Sequence, residues 1–208
     1  MDHRTLRELL DAGARAHPPA RDVGATERGL PPDYLAVLWI ANGFTTLRPR
    51  FTLFSYEEAT ARRTAEWVGG YGSLIEGFMS IGEDIFGDQY GYLTRPDAAP
   101  VLARFWCEGG QIEACFPRLL PDFLERQILG PSPAGLDFGL AAAAWQLGLR
   151  PTEQEHLAFK VPLIAGGAYT VDNLGVESAA LHLGLLGQLS VQVRGLPDGQ
   201  PILGFDTQ

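Results

Sequence analysis

Apolar and polar positions repeat along this chain with two different periods, and breaker residues mark most of the places where one gives way to the other. From His3 to Ala16, Leu6, Leu9, Leu10 and Gly13 fall on one helical stripe opposite charged residues, and His17-Pro18-Pro19 stops the run. A short amphipathic cover helix is expected there. Pro31-Pro32-Asp33 opens a second helix, Tyr34 to Ala41 fill it with apolar side chains, and Asn42-Gly43 ends it. Phe51 to Phe54 reads as a brief strand. Ser55 and Glu58 then stand in capping-box spacing, each able to cover an orphan backbone N–H, ahead of a helix reaching Trp67 that Gly69-Gly70-Tyr71-Gly72 breaks.

Phe78-Met79-Ser80-Ile81-Gly82 alternates as a half-exposed strand would, and Glu83-Asp84-Ile85-Phe86-Gly87-Asp88 follows as an acidic loop. Gln89 to Thr94 and Val101 to Trp106 read as two further strands around a turn at Arg95-Pro96-Asp97, which suggests an antiparallel meander. Phe123, Leu124, Ile128 and Leu129 share a helical face between Pro121 and Gly130. Two prolines and two glycines in Gly130 to Gly135 then make a joint between a first unit, 1–130, and a C-terminal extension, 131–208, packed on it. In the extension the pattern predicts a helix over Leu136 to Leu147, a strand over Leu157 to Ile164, a Gly166-Gly167 turn, a helix from Ser178 to Arg194 and a strand near Pro201 to Phe205. The expected class is α+β: a central, mostly antiparallel sheet flanked by helices, with a C-terminal α/β extension.

Composition narrows the picture. At 208 residues, 46% hydrophobic and 20% charged, the chain has enough apolar material for one sizeable core. No apolar run approaches the ~20 residues of a membrane span, and Asp2, Arg4, Arg7, Glu8 and Asp11 interrupt the stretch where an export signal would lie, so a soluble, cytoplasmic chain is expected. Two cysteines, Cys107 and Cys115, fit a reducing compartment. A net charge of -9 with only 16 scattered Lys and Arg argues against direct nucleic-acid binding and suits a cationic partner or simple solubility.

Leu30-Pro31-Pro32-Asp33-Tyr34 leading into Asn42-Gly43, then Ile81-Gly82-Glu83-Asp84 through Gly87-Asp88-Gln89-Tyr90, resembles the SUKH superfamily. Val101 to Trp106 and Phe116 to Ile128 sit where that family has a late strand and a closing helix, so the resemblance spans about Leu30 to Leu129. One departure is visible: Thr94 follows Tyr90-Gly91-Tyr92-Leu93 where members often carry an aspartate. The stretch from Lys160-Val161-Pro162-Leu163 through Asn173-Leu174 and His182 to Leu196-Pro197-Asp198-Gly199 is similar to the tail of some type VI secretion immunity proteins. The resemblance implies a SUKH-like fold without enzymatic activity and a role as an immunity protein, the antidote to a cognate bacterial toxin; a non-enzymatic scaffold or regulatory adaptor of the same fold is the alternative. A basic toxin acting on nucleic acid would suit the charge.

The residues expected to meet such a partner are Glu83, Asp84 and Asp88, whose paired carboxylates could accept bidentate hydrogen bonds from arginine, and the neighbouring aromatics Tyr90, Tyr92 and Trp106. Solvated turn acids and ordinary sheet packing are the competing explanations. No catalytic set, metal site or cofactor loop is expected: the cysteines are eight apart with His156 and His182 distant, His182 sits inside an apolar helix, and Gly166-Gly167 lacks phosphate-loop companions.

Overall fold

Strand pairing follows chain order. The computed structural model describes residues 7, 8, 10, 11, 14–17, 30–46, 50–62, 66–129 and 137–197. Seven strands, β1 (Ala14–Ala16), β2 (Phe44–Thr46), β3 (Phe51–Leu53), β4 (Phe78–Asp84), β5 (Gln89–Leu93), β6 (Val101–Trp106) and β7 (Gln111–Ala114), form one sheet in sequence order, each neighbouring pair antiparallel. Helices α1 (Pro32–Leu38), α2 (Tyr56–Arg62), α3 (Glu66–Tyr71), α4 (Leu120–Phe123), α5 (Phe138–Gln146) and α6 (Ala179–Val193) flank it, and α4 continues as a π-helical turn over Leu124–Leu129. Strands β8 (Glu155–Phe159) and β9 (Leu174–Ser178) make a second, two-stranded antiparallel sheet. The chain is therefore α+β, with an antiparallel sheet between helices.

Because successive strand residues point to opposite faces, the register sorts the sheet into two surfaces. One carries Phe44, Phe51, Leu53, Tyr90, Tyr92 and Leu102, which bury against Tyr34, Val37 and Leu38 of α1 and Leu120, Phe123 and Leu124. Asp33 fastens that layer, its Oδ2 accepting the Leu120 N–H at 2.8 Å so that α1 and α4 start from one carboxylate. The other face brings Phe105 and Cys107 into a second core with Tyr71, Ile75, Leu183, Leu186 and Leu189, under α3 and α6. A third cluster joins Ile85, beyond the end of β4, to Ala141, Ala144, Leu157, Phe159 and Leu174.

The capping box at the start of α2 forms as expected: the Glu58 N–H donates to Ser55 Oγ at 3.1 Å and the Ser55 N–H to Glu58 Oε2 at 2.8 Å. Several other expectations are corrected. Residues 7, 8, 10 and 11 are helical, but Ala14–Ala16, expected to continue that helix, pairs as an edge strand with β2. Gly69-Gly70 lies inside α3, and the break comes only at Gly72, where φ is +53° and a 3-10 turn begins; Gly70 is the residue that faces α6. A Cβ on Gly187 would lie 2.7 Å from the Gly70 backbone, so the two helices touch main chain to main chain. Glu83 and Asp84 belong to β4 and not to a loop. Strand β8 covers Glu155–Phe159, two residues earlier than expected and well short of Ile164, because the chain turns at Pro162 into a 3-10 segment. The joint over 130–135 and the strand near 201–205 lie outside the described residues.

This crossing yields a test. Gly187→Ala should lower stability by about 1–3 kcal/mol in denaturant unfolding, the usual cost of forcing an extra methyl into a packed contact. Gly184→Ala, on the same helix but with nothing within 4 Å of the added Cβ, should raise it by about 0.5–1 kcal/mol.

Candidate functional site

Across the face that α6 covers, the register lines up Arg15, Thr45, Thr52, Glu83, Gln89, Phe105 and Ile112 in one row. Polar side chains thus cross most of the sheet in a row that ends in a hydrophobic core. The polar part divides into a buried section and an open one.

In the buried section Gln89 is the hub. Its amide nitrogen donates to Glu83 Oε2 at 3.2 Å and to the Gly87 carbonyl at 2.9 Å, while its oxygen accepts from Ser80 Oγ at 2.8 Å. His156 of β8 sits 3.7 Å from Glu83 Oε2 through Nε2 and 3.2 Å from His182 Nδ1 through its own Nδ1. His182 of α6 in turn places Nε2 3.6 Å from Glu108 Oε1, and Glu108 Oε2 accepts the Leu163 N–H at 2.8 Å. A carboxylate, two imidazoles and a second carboxylate run in sequence where β8 and α6 meet the sheet, with exposures of 4%, 0%, 5% and 3%. Burial lowers the His156 pKa from its ordinary value, with Glu83 opposing.

Gly87 makes room for this chain. Its φ is +87°, which favours glycine, and a Cβ there would stand 2.6 Å from His156 Nδ1. Strand β8 grips the same turn, since the Leu157 N–H donates to the Ile85 carbonyl at 2.8 Å. Arg50, buried beside β3, adds guanidinium hydrogen bonds to the Thr152 and Glu155 carbonyls.

The open section is a trough of about 290 Å³ lined by Arg15, His17, Thr45, Thr52, Phe54, Glu58, Glu83 and Glu153. Glu83, nearly buried, borders both it and the histidine pair, while Arg15 and Glu153 form an exposed ion pair at 3.6 Å. A larger cavity, about 470 Å³, lies between Thr46, Ile85, Trp145 and Thr152 and contains Arg50 and Arg150. Both of those cations already bond backbone carbonyls, Arg150 those of Trp145 and Leu149. Among the described residues, no group of three or more His, Cys, Asp or Glu is placed to hold a metal ion.

The expected partner-facing residues are placed differently from the exposed acidic clamp. Glu83 and Asp84, adjacent in β4, point to opposite faces, so they cannot chelate one arginine together. Asp84 accepts the Phe86 and Asp88 N–H groups at 2.9 and 3.1 Å and the Tyr90 hydroxyl at 3.2 Å, closing the β4–β5 turn. Asp88 is committed to Arg104 Nε at 2.8 Å and the Cys107 N–H at 3.0 Å. Tyr90 and Tyr92 are buried in the first core, Tyr90 edge-on to Phe51 at 5.3 Å, and Trp106 is half-buried over Gly109. Glu83 alone of the six lines the trough. Gln89, Arg104, Glu108 and the meeting of His156 with His182 were not among the expected site residues; for Gln89 and Arg104, a polar residue inside an apolar strand was the available signal.

No family model and no curated protein matches the chain. Among solved structures it is similar to the crystal structure of Atu4351 from Agrobacterium tumefaciens, with a TM-score of 0.50 over 86% of each chain at 15% identity. That likeness concerns the fold alone.

Burial pushes the Asp84 carboxyl up to about 8, with Asp88 acting in the same direction and Arg104 against it. A carboxyl raised in this way is protonated in the fold at pH values where the unfolded chain has released the proton, so its contribution to stability falls as pH rises toward 8. The loss should run from about pH 4, where the unfolded chain releases the proton, to about pH 8, on the order of 1 kcal/mol per pH unit, and Asp84→Asn should flatten that limb in urea unfolding measured at each pH.

Proposed function

We propose that this chain is a non-enzymatic protein-binding module of the immunity type, which neutralises a cognate toxin by receiving a basic side chain in the trough that Glu83 borders. The observation carrying the reading is the lining: Glu58, Glu83 and Glu153 around one concavity of about 290 Å³, with Thr45 and Thr52 as neutral hydrogen-bonding groups between them. Three carboxylates against Arg15 and one histidine give an acidic recess, and a chain carrying -9 overall steers a cationic partner toward it. The same chemistry would occlude the basic active site of an enzyme acting on nucleic acid. The SUKH-like stretch over Leu30 to Leu129 supports the antidote role, and cytoplasmic residence belongs to the same proposal.

Thr45 and Thr52 on the floor of the recess offer methyl groups to the stem of a lysine or arginine, whose methylenes pack while the charged head meets oxygen. Glu83 is rigid there, because Gln89 holds its Oε2. A preset acceptor of this kind spares the partner the cost of ordering it.

Co-expression with the toxin gene beside its own should restore growth with the natural chain. Glu153→Lys, at an exposed position, should slow association on the order of tenfold at low salt and weaken rescue, while the fold stays intact by circular dichroism. Absence of rescue by the natural chain would overturn the antidote reading, and capture of a resident protein in place of any toxin would favour the adaptor.

A further inference from the structure

The four-residue chain Glu83, His156, His182, Glu108 admits a proton count. The two Nδ1 atoms are 3.2 Å apart, a separation that requires one N–H and one lone pair between them. Each Nε2 looks at a carboxylate oxygen 3.6–3.7 Å away. Glu108 Oε1 and both Nε2 atoms are buried and form no closer hydrogen bond, so a lone pair on either Nε2 would face an anionic oxygen in a site that excludes water. A proton on each Nε2 removes that repulsion.

We infer that the two rings together hold three protons, the charge of one imidazolium between Glu83 and Glu108, and that a fourth proton parts the rings and loosens β8 and α6 from the sheet. With four, two N–H groups would point at one another across 3.2 Å and two cations would lie side by side in the interior. The contact is thus an acid-sensitive latch across the two layers that β8 and α6 bring to the sheet.

The surrounding charges act on this count from every side. Glu83 comes from β4, with the neutral Gln89 of β5 behind it; Arg50, beside β3, lies close enough to disfavour a charged His156; Glu108 comes from the β6–β7 turn; and Glu155 precedes His156 on β8. On α3 the Tyr71 hydroxyl donates to the Cys107 carbonyl at 3.1 Å. Asp84, on the opposite face, and Asp88, paired with Arg104, are the buried acids of the neighbouring β4–β5 turn. The lowered His156 pKa agrees with that ring as the lone-pair partner. Its sign is fixed by linkage: the unfolded chain takes up a proton near the ordinary value of 6.5, the folded chain only below it, so this contribution is complete above that pH and is lost as pH falls beneath it.

Nitrogen-15 NMR of the natural chain at about pH 7.5 should find three N–H protons on these rings, one of them coupled to both Nδ1 atoms. On moving to about pH 5, amide exchange in β8 and α6, corrected for intrinsic rates, should accelerate on the order of tenfold more than in β5 and β6. In His156→Asn and in His182→Gln that selective acceleration should vanish. Two or four ring protons at neutral pH, or equal acid sensitivity in natural chain and variants, would overturn the inference; the ring-proton count needs no variant, so it decides the matter even where a substitution prevents folding.

Discussion

The central strands are covered on both faces, and the charged and amide side chains that they bury must therefore find partners inside the protein. A buried carboxylate without a partner costs several kcal/mol, far more than any single apolar contact returns. Strands β4 and β5 nevertheless contribute Ser80, Glu83, Asp84 and Gln89 to the interior. Each finds its partner in a different element: Gln89 serves Ser80 and Glu83, the β4–β5 turn serves Asp84, and β8 places His156 beside Glu83. The location of β8 and α6 follows from this need as much as from the leucines beneath them.

That constraint also shapes what can meet a partner. Residues that look in sequence like one acidic patch are distributed by the pleat to two faces and by the turn to a third setting. Asp84 and Asp88 become internal ligands of backbone N–H groups and of Arg104, and only Glu83, at the margin of the covered zone, keeps a connection to an open recess. The same carboxylate faces the histidine pair, so whatever occupies the recess and whatever protonates the pair act on one group.

Much of the fold was legible because local chemistry decides it. Ser55 and Glu58 cap α2 through contacts three residues apart; Gln89 to Leu93 and Val101 to Trp106 alternate and flank a turn; the leucines of α6 repeat at helical spacing. The misses share a cause: their reasons lie elsewhere in the chain. Gly70 stays helical with Gly187 resting against its backbone, and Ala14–Ala16 is extended because β2 offers a partner edge. Strands β2 and β7, three and four residues long, have too few positions to show a period. The histidine pair could not be read at all, since His156 and His182 stand 26 residues apart and meet only because a strand and a helix converge on the same turn.

The sheet is a party wall with a dwelling on each side. Without β8 and α6, the side they cover would keep Tyr71 and Ile75 against Phe105 and Gln89 on Glu83, but it would lose the leucines of α6 and both histidines and leave the Glu108 carboxylate open to water. A chain lacking these two elements would need different side chains on the face of β4 through β6 that they cover.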